Sequence, residues 1–367
     1  MRRILIFIVL LLCLPIGVFA SELEDESTTG IVSIHSIDYN SDPTSLEPIA
    51  TQRVYDGKII IKETWVDDYD NLVMNKDGYC YYTIKLSARR QPALKSFYDT
   101  DDNPVTTNQG YASIKYTYDG LGTLLETEYF DIDGLPINSI DGYAKMVNTY
   151  KGRKLSTIEY FDEDGSPVTA PGKYAKKTLE YDSRLRIIKE AYFDAEGQPM
   201  TISDGYSYAL YERDLGNVIL SEQFFDAEDN PVISKKGYAA LYQTFAARLR
   251  ISSTEYRDET GALMPGPKGW ARMEVKYSNV SSNQRSKELY YGVDGNLVLL
   301  KDGYAGIEYK YESNRLRQKK YIGVDGYLTI VKDGYAIAEY YYYDTKVKHE
   351  LFFGVDGEAF ITALSEV

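Results

Sequence analysis

An aromatic residue that opens a short acidic turn motif recurs ten times along this chain. In its clearest copy the motif runs from Tyr160 to Val168 and reads YFDEDGSPV, and successive copies lie 31 to 34 residues apart. A fixed period of this length over most of a chain is the signature of a repeat array. We therefore predict ten repeats of about 32 residues over residues 51–367, rather than two globular domains. The opening residues are Trp65, Phe97, Tyr129, Tyr160, Tyr192, Phe224, Tyr256, Tyr290, Tyr321 and Phe352.

A second landmark, Gly-Tyr-Ala or a close variant, keeps the same step. After it, residues alternate in polarity and are rich in Tyr, Val and Ile, as from Tyr143 to Tyr150, which is typical of a half-buried strand. A turn at residues 151–154 leads into a second strand from Leu155 to Phe161. We predict an all-β fold, with hairpins of two seven-residue strands stacked as an elongated solenoid or a curved single sheet. The aromatic residues of this landmark are Tyr79, Tyr111, Tyr143, Tyr174, Tyr206, Tyr238, Trp270, Tyr304 and Tyr335.

Two places admit another interpretation. The Leu-rich piece from Leu241 to Ile251 is compatible with a helical turn. Between the seventh and eighth copies the step lengthens to 34 residues, which places an insertion at residues 278–284. The insertion is either a bulged loop or a junction between two sub-arrays. From this point on, Gly292, Gly323 and Gly354 replace the first Asp of the motif.

The first fifty residues differ from the array. Residues 1–20 combine a cationic start, an apolar run and small residues before Ser21, a pattern typical of a secretory signal peptide cleaved after Ala20. Residues 21–50 read as an acidic leader followed by an atypical N-terminal cap. We expect an exported protein that is secreted, surface-bound or periplasmic, with no transmembrane segment after signal removal.

Charge and cysteine content restrict the partners and the source of stability. The net charge is −14, and removal of Arg2 and Arg3 with the signal peptide makes it −16. Such a chain is repelled by phosphate backbones, so we expect no nucleic-acid partner. Cys80 is the only cysteine that remains, and it replaces the Ala of the second landmark. Stability must therefore come from packing between repeats rather than from an internal disulfide.

The sequence contains few residues suited to catalysis. Its two histidines, His35 and His349, lie at opposite ends of the chain, and there is no Gly-rich phosphate loop followed by a helix. Carboxylate pairs recur in every copy, whereas a catalytic pair needs one special place where burial separates two pKa values. We predict no enzyme activity and no cofactor.

The acidic turns are weak candidates for calcium binding. Asp131, Asp133, Asp162 and Asp164 supply hard oxygen ligands in short loops. The Gly and Glu positions of the twelve-residue calcium loop are not matched here, however, and Asp-Gly after a strand is itself a hairpin signal. We therefore predict turns and no metal site.

The abundant aromatic residues are the remaining candidates for a site. The chain has 36 Tyr, 12 Phe and 2 Trp. Aromatic rings stack on sugars, and tyrosine hydroxyls form hydrogen bonds, so a regular row could bind a polymer through many weak sites. In the alternative, the same rings form only the core between repeats. The best candidates for ligand binding are Tyr129, Tyr143, Tyr160, Tyr174, Tyr192 and Tyr206.

Two family resemblances bear on the choice. The segments from Tyr129 to Gly134 and from Tyr160 to Thr169 resemble the cell-wall-binding repeats of choline-binding and glucan-binding proteins, a resemblance that implies aromatic rings holding choline or sugar. The segments from Tyr118 to Leu124 and from Tyr181 to Ile187 resemble the Tyr-Asp repeats of RHS-type proteins, which implies a large β-sheet shell. We expect a non-catalytic repeat protein that binds an extracellular polymer, a cell-wall polymer or other glycan. The alternative is a structural or protein-interaction scaffold, an RHS-like β-shell with a surface protein as its partner and no small-molecule ligand.

Overall fold

The computed structural model describes residues 31–32, 50–170, 172–247, 250–279, 283–343 and 345–360. The regular elements in these ranges are 22 β-strands, numbered here in chain order. Their bounds are β1 Ile31–Val32, β2 Ala50–Asp56, β3 Ile59–Val66, β4 Tyr81–Leu86, β5 Pro92–Tyr98, β6 Ser113–Tyr118, β7 Leu124–Phe130, β8 Lys145–Lys151, β9 Lys154–Phe161, β10 Lys176–Tyr181, β11 Ile187–Phe193, β12 Tyr208–Arg213, β13 Ile219–Phe225, β14 Ala240–Ala246, β15 Arg250–Arg257, β16 Arg272–Tyr277, β17 Arg285–Tyr291, β18 Gly306–Glu312, β19 Arg315–Ile322, β20 Ile337–Tyr343, β21 Lys346–Phe353 and β22 Ala359–Phe360.

Every strand pairs antiparallel with the strand that follows it in the chain, which gives one open, curved sheet. Ten long hairpins, from β2–β3 to β20–β21, pair along their whole length. Neighbouring hairpins are joined over only three residue pairs, for example from Lys62 opposite Thr83 to Thr64 opposite Tyr81. The predicted all-β fold of tandem hairpins is therefore confirmed.

Each of the ten hairpins contains a register shift close to its turn. In β8–β9 the shift lies between Thr149 and Tyr150, and in β6–β7 it lies between Thr117 and Tyr118. An extra residue on one strand bends that strand and increases its twist. Because the irregularity repeats in every hairpin, it contributes the same bend at each step along the sheet.

The connections between hairpins form a second stacked layer. After β9 the chain turns at Asp162 and returns to bridge Phe161 with Pro167. A second turn follows, and between several adjacent repeats the connections also bond to each other. The N–H of Asn108 donates to the C=O of Asp77 at 2.9 Å, and the N–H of Ile140 donates to the C=O of Gln109 at 2.9 Å. The core lies between one face of the sheet and these connections.

The helical interpretation of residues 241–251 is wrong for the residues that lie in strands. Residues 241–246 belong to β14 and residues 250–251 to β15, where Leu241 pairs with Tyr256 and Phe245 with Ile251, whereas residues 248–249 lie outside the described ranges. The β-branched and aromatic residues follow the pleat of the sheet, and pairing with both neighbouring strands outweighs the helix propensity of the leucine.

Several sequence predictions concern residues outside the described ranges. They include the signal peptide at residues 1–20 and, apart from β1 and Ala50, the leader and cap at residues 21–50. Of the insertion at 278–284, residues 280–282 also lie outside. The strands on either side of it, β16 and β17, pair like the other hairpins. No helix in the described part of the chain is long and apolar enough to cross a membrane.

Candidate functional site

The two aromatic landmarks alternate in a single file of nineteen rings, most of them tilted or edge-to-face to their neighbours, which we call the ladder. Each ring contacts the next, with centroids 4.4 to 6.2 Å apart. Offset and edge-to-face aromatic pairs at such distances stabilise beyond their burial by about 0.5–1.5 kcal/mol each. In chain order the ladder comprises Trp65, Tyr79, Phe97, Tyr111, Tyr129, Tyr143, Tyr160, Tyr174, Tyr192, Tyr206, Phe224, Tyr238, Tyr256, Trp270, Tyr290, Tyr304, Tyr321, Tyr335 and Phe352.

Backbone hydrogen bonds fix the position of each ladder ring. The N–H of Tyr160 donates to the C=O of Ala175 at 2.9 Å, and its C=O accepts from the N–H of Val168 at 3.0 Å. The opening ring is therefore held by the connection that follows it. Ala175 is buried, as are the residues at its position in the other repeats, including Cys80. A small residue is needed there, and burial raises the pKa of the Cys80 thiol.

A glycine with positive φ precedes most of the second-landmark rings and allows the tight turn. Gly205 has a φ of +89° and Gly110 a φ of +90°, a region that residues with a Cβ rarely adopt. At Gly110 a Cβ would also lie 3.4 Å from the backbone nitrogen of Ile140 in the next connection. The glycine therefore serves both the turn and the stacking of the connections.

The six tyrosines predicted as ligand contacts are consecutive members of the ladder. Tyr143, Tyr160, Tyr192 and Tyr206 are buried, and Tyr129 and Tyr174 are half-buried. Burial is the main cause that raises the pKa of each of these six hydroxyls. The structure brings all six together, but it turns their rings towards one another rather than towards solvent.

Sequence reasoning missed a set of glutamates on the same face of the sheet, two residues before an opening aromatic. Glu190 accepts hydrogen bonds from the hydroxyls of Tyr211 (2.8 Å) and Tyr206 (3.1 Å) and pairs with Lys177 at 2.8 Å. Desolvation opposes ionisation of Glu190, but the hydrogen bond and charge of Lys177 outweigh it, and its pKa lies below the usual range. A glutamate two residues before the opening aromatic is the sequence pattern that could have identified this set.

Glu222 and Glu288 are more deeply buried members of this set. Glu222 accepts from the hydroxyl of Tyr238 at 2.8 Å and pairs with Lys236 at 2.6 Å. Glu288 accepts from the hydroxyl of Tyr290 at 2.7 Å and pairs with Arg285. A buried charge requires such partners. Each carboxylate therefore bonds to side chains that lie near it in the sequence, and the two carboxylates lie in separate parts of the array.

Two of the four aspartates considered as calcium ligands, Asp131 and Asp162, accept backbone hydrogen bonds within their own turns. Asp131 Oδ1 accepts the N–H groups of Asp133 (2.9 Å) and Leu135 (2.8 Å). Asp162 Oδ1 accepts that of Asp164 at 3.1 Å and that of Ser166 at 2.8 Å. Asp133 and Asp164 are exposed. Among the described residues, no group of three or more His, Cys, Asp or Glu gathers as a metal site.

The late repeats build the same turn from a different aspartate. Asp294 Oδ1 accepts the N–H of Asn296 at 3.0 Å, and Asp325 Oδ1 accepts that of Tyr327 at 3.0 Å. In these turns the carboxylate folds back over Gly292 or Gly323, where a Cβ would lie 3.2 or 3.1 Å from the aspartate oxygen. The change from Asp to Gly gives the relocated carboxylate its space.

The opposite face of the sheet carries cross-strand ion pairs. Lys115 pairs with Glu128 at 2.9 Å, and Lys145 lies 3.2 Å from Glu126 and 3.5 Å from Glu128. These groups are partly exposed, so each pair contributes about 0–1 kcal/mol. Their alternating signs place each charge beside an opposite one on the neighbouring strand.

No protein-family model and no curated protein matches this chain. The resemblance to cell-wall-binding repeats therefore gains no support. Among solved structures, the crystal structure of TcdB2-TccC3-TEV is similar with 12% identity and a TM-score of 0.28, over 83% of this chain and 16% of that chain. A Photorhabdus luminescens Tc holotoxin pore carrying a TccC3 mutation gives 13% identity and a TM-score of 0.27, over 86% and 19%. This chain thus spans less than a fifth of either, and at such TM-scores no functional conclusion follows.

Proposed function

We propose that this chain is an exported, non-catalytic scaffold: a long β-sheet that holds or spaces other proteins and has no small-molecule ligand. The observation that supports this proposal best is the ladder. The aromatic rings at the regular step pack against one another, so the feature that most suggested ligand binding is used for internal cohesion.

The dimensions of the sheet also favour a scaffold. Adjacent strands of a sheet lie about 4.8 Å apart, so 22 strands span about 100 Å along the curve of the sheet. Each repeat contacts only its neighbours, an arrangement that lengthens without enlarging the core. A long, thin body that exposes a charged face suits the spacing or display of partners rather than the enclosure of a substrate.

Glycan binding is the second candidate. The six tyrosines predicted as its ligand contacts are members of the ladder on which the scaffold proposal rests. In its favour, hydroxyl-bearing rings repeat at a constant step, and Tyr129 and Tyr174 retain partial exposure. A ligand at these rings would have to enter between the ladder and the connections. The two functions therefore differ in what the tyrosines contact, which makes them separable by experiment.

The deciding experiment is co-sedimentation of the exported protein with purified bacterial cell walls and insoluble polysaccharides. The scaffold proposal expects the protein to stay in the supernatant. Retention that free choline or sugar releases would contradict it and favour glycan binding. The matched variants are Tyr174→Phe, which removes one hydroxyl from the ladder, and Tyr327→Phe, which removes one from an exposed turn. Under the scaffold proposal neither changes sedimentation.

A further inference from the structure

The face of the sheet opposite the ladder carries pairs of flat side chains at the start of two hairpins. Tyr81 stacks on Tyr98 with ring centroids 4.8 Å apart and 13° between the planes, and Tyr208 stacks on Phe225 at 4.7 Å and 7°. Each pair is the first cross-strand pair of its hairpin, β4–β5 or β12–β13. Tyr98 and Phe225 directly follow ladder rings, so they point to the opposite face. The first pair of a hairpin can therefore hold a planar ring on this face.

The seventh hairpin, β14–β15, lacks a ring at this place. Its first cross-strand pair is Ala240 and Arg257, so a methyl group stands where the second and sixth hairpins carry a phenol ring. The missing ring leaves an empty space of about 300 Å³ that is open to solvent. Its lining includes Ala240, Phe225, Pro231, Arg257 and the turn that follows this arginine. We call this space the Ala240 slot.

The next hairpin shows which partner an arginine takes in a first pair. In β16–β17 the first pair is Arg272 and Tyr291, and the guanidinium carbon lies 4.5 Å from the centre of the ring. In the slot, Arg257 bonds to Glu255 at 2.7 Å and to a backbone C=O of the following turn at 2.8 Å. Such bonds lie in the guanidinium plane and leave its faces for stacking. The ring centre of Tyr242 is 5.8 Å away, so Arg257 lacks a ring stacked as closely as that of Tyr291.

The mouth of the slot is acidic. Glu259 lines it and is exposed, and the turn just before Pro231 carries the exposed side chains of Glu228 and Asp229. Among the described residues that line the slot, Arg257 is the one cation, and it is already paired with a glutamate of its own strand. A cationic segment is therefore attracted to the slot, and an anionic one is repelled.

We propose that the Ala240 slot binds an aromatic side chain of a partner protein, flanked by Lys or Arg, with the ring on the guanidinium of Arg257. The ring takes the place that Tyr208 fills in the sixth hairpin, and the flanking cations meet the acidic turns. One ring contributes little binding free energy, so an isolated segment dissociates at about 1 mM. The proposal rests on the scaffold function, because it names the chemistry of a protein that the scaffold holds.

Disulfide tethering tests the preference for a ring. Glu259→Cys puts a thiol at the rim of the slot. Its matched control, Glu163→Cys, puts one at the same turn position three hairpins earlier, where a lysine replaces the alanine of the first pair. Both positions are exposed, and the native Cys80 is buried. Each variant of the exported protein is equilibrated, under a reducing thiol, with equal amounts of a 4-hydroxyphenethyl disulfide and an isobutyl disulfide. Intact mass then gives the ratio of the two adducts.

The aromatic adduct should exceed the aliphatic one by about fivefold at Glu259→Cys and should show no excess at Glu163→Cys. Adding Ala240→Tyr to the first variant fills the slot with a ring of the chain itself and should abolish the preference. An equal ratio at both thiols, or a preference that survives Ala240→Tyr, would overturn the proposal.

Peptide binding tests the role of charge. The probe is acetyl-Lys-(4-fluorophenylalanine)-Lys-amide, followed by broadening of its fluorine signal as the protein is added. The native protein should bind it at about 1 mM, and Ala240→Tyr at least about tenfold more weakly. Arg257→Met, which removes the guanidinium, should also weaken binding and serves if the tyrosine disturbs folding. A probe with Glu in place of both Lys should bind more weakly still. Absence of binding to the native protein contradicts the proposal.

The competing occupant is a sugar ring. Retention of the native protein on a polysaccharide that Ala240→Tyr abolishes would place a glycan in the slot, and it would overturn both this proposal and the scaffold function. Failure of the peptide and tethering experiments alone overturns only the slot proposal, because co-sedimentation of the native protein decides the scaffold function separately.

Discussion

At the scale of single residues, Phe224 shows how the ladder stabilises the array. It is fully buried, with Tyr206 at 4.8 Å on one side and Tyr238 at 5.8 Å on the other. Its neighbours are held by their own backbone bonds, because the C=O of Tyr206 accepts from the N–H of Ile202 at 3.0 Å and the C=O of Tyr238 accepts from the N–H of Ser234 at 3.2 Å. The surroundings can therefore collapse only partly into a vacated ring position.

Truncation of this ring should be costly. We expect Phe224→Ala to lower the free energy of unfolding by about 3–5 kcal/mol, the range for a buried aromatic replaced by alanine. Tyr327→Ala removes a ring that is 75% exposed and should change it by no more than about 0.5 kcal/mol. Urea unfolding followed by far-ultraviolet circular dichroism measures both. Equal losses would mean that the ladder is not the stabilising core.

The buried tyrosines also determine the alkaline limit of stability. Burial raises the pKa of Tyr79 to about 12, and also that of Tyr116 to about 12, against about 10 for an unfolded chain. A raised pKa in the folded state leaves stability intact below pH 10 and removes it as the pH rises from 10 through 12. We expect tyrosinate absorbance at high pH to rise together with loss of circular dichroism. Full ionisation in a still-folded protein would contradict this.

At the scale of structural elements, the turn before each second landmark shows how repeats adjust to one another. The position occupied by Ala170, Ser234 or Val331 is buried in those repeats. At Gly266 the ring of Tyr256 takes that space, and a Cβ there would lie 2.2 Å from Tyr256 Cδ2. The loss of a side chain in the turn is thus matched by the movement of a ladder ring.

This compensation predicts opposite outcomes at two glycines. Gly266→Ala should lower the free energy of unfolding by about 1–3 kcal/mol, because the added methyl overpacks the ring of Tyr256. Gly120→Ala adds a methyl with no heavy atom within 4 Å and without a positive φ, so it should be neutral or stabilising by up to about 1 kcal/mol. Thermal unfolding distinguishes them, and a harmless Gly266→Ala would show that Tyr256 can rotate away.

The hairpins could be predicted from sequence because their signals are local. Alternation from Tyr143 to Tyr150 and the turns that follow lie within one strand or one loop. The ladder could not, because Tyr160 and Tyr174 are 14 residues apart and meet, at 5.5 Å, only when the connection folds back. The partners of Glu190 likewise come from β10, from β12 and from the connection before β12. The six tyrosines predicted as ligand contacts are neighbours in the ladder, but the sequence carried no signal for the direction in which their rings point.

At the scale of the whole molecule, unfolding should report how strongly the repeats are coupled. The two tryptophans, Trp65 and Trp270, lie in the ladder more than 200 residues apart. In an array with nearest-neighbour contacts, stability is a sum of repeat and interface contributions. A weakened repeat between the two reporters therefore uncouples the parts on either side.

We expect Trp65 and Trp270, each observed alone after Phe replacement of the other, to report one common urea transition in the native protein. In the Phe224→Ala background the two midpoints should separate, because the damaged repeat lies between them. A variant that still unfolds with coincident midpoints would show that cooperativity extends across the weakened repeat. The control is Tyr327→Ala, which should leave the midpoints together.

Each strand pairs only with its neighbours in the chain, and this also affects how the length of the gene can change in evolution. Duplication or loss of one 31- or 32-residue segment adds or removes a complete hairpin whose docking surfaces already match those on both sides. Loss of part of a hairpin would break the alternation of ladder rings, whereas the 34-residue step from Tyr256 to Tyr290 leaves the ladder continuous. Descendants of such a gene can therefore vary in length by whole repeats, while each surviving hairpin keeps its surroundings.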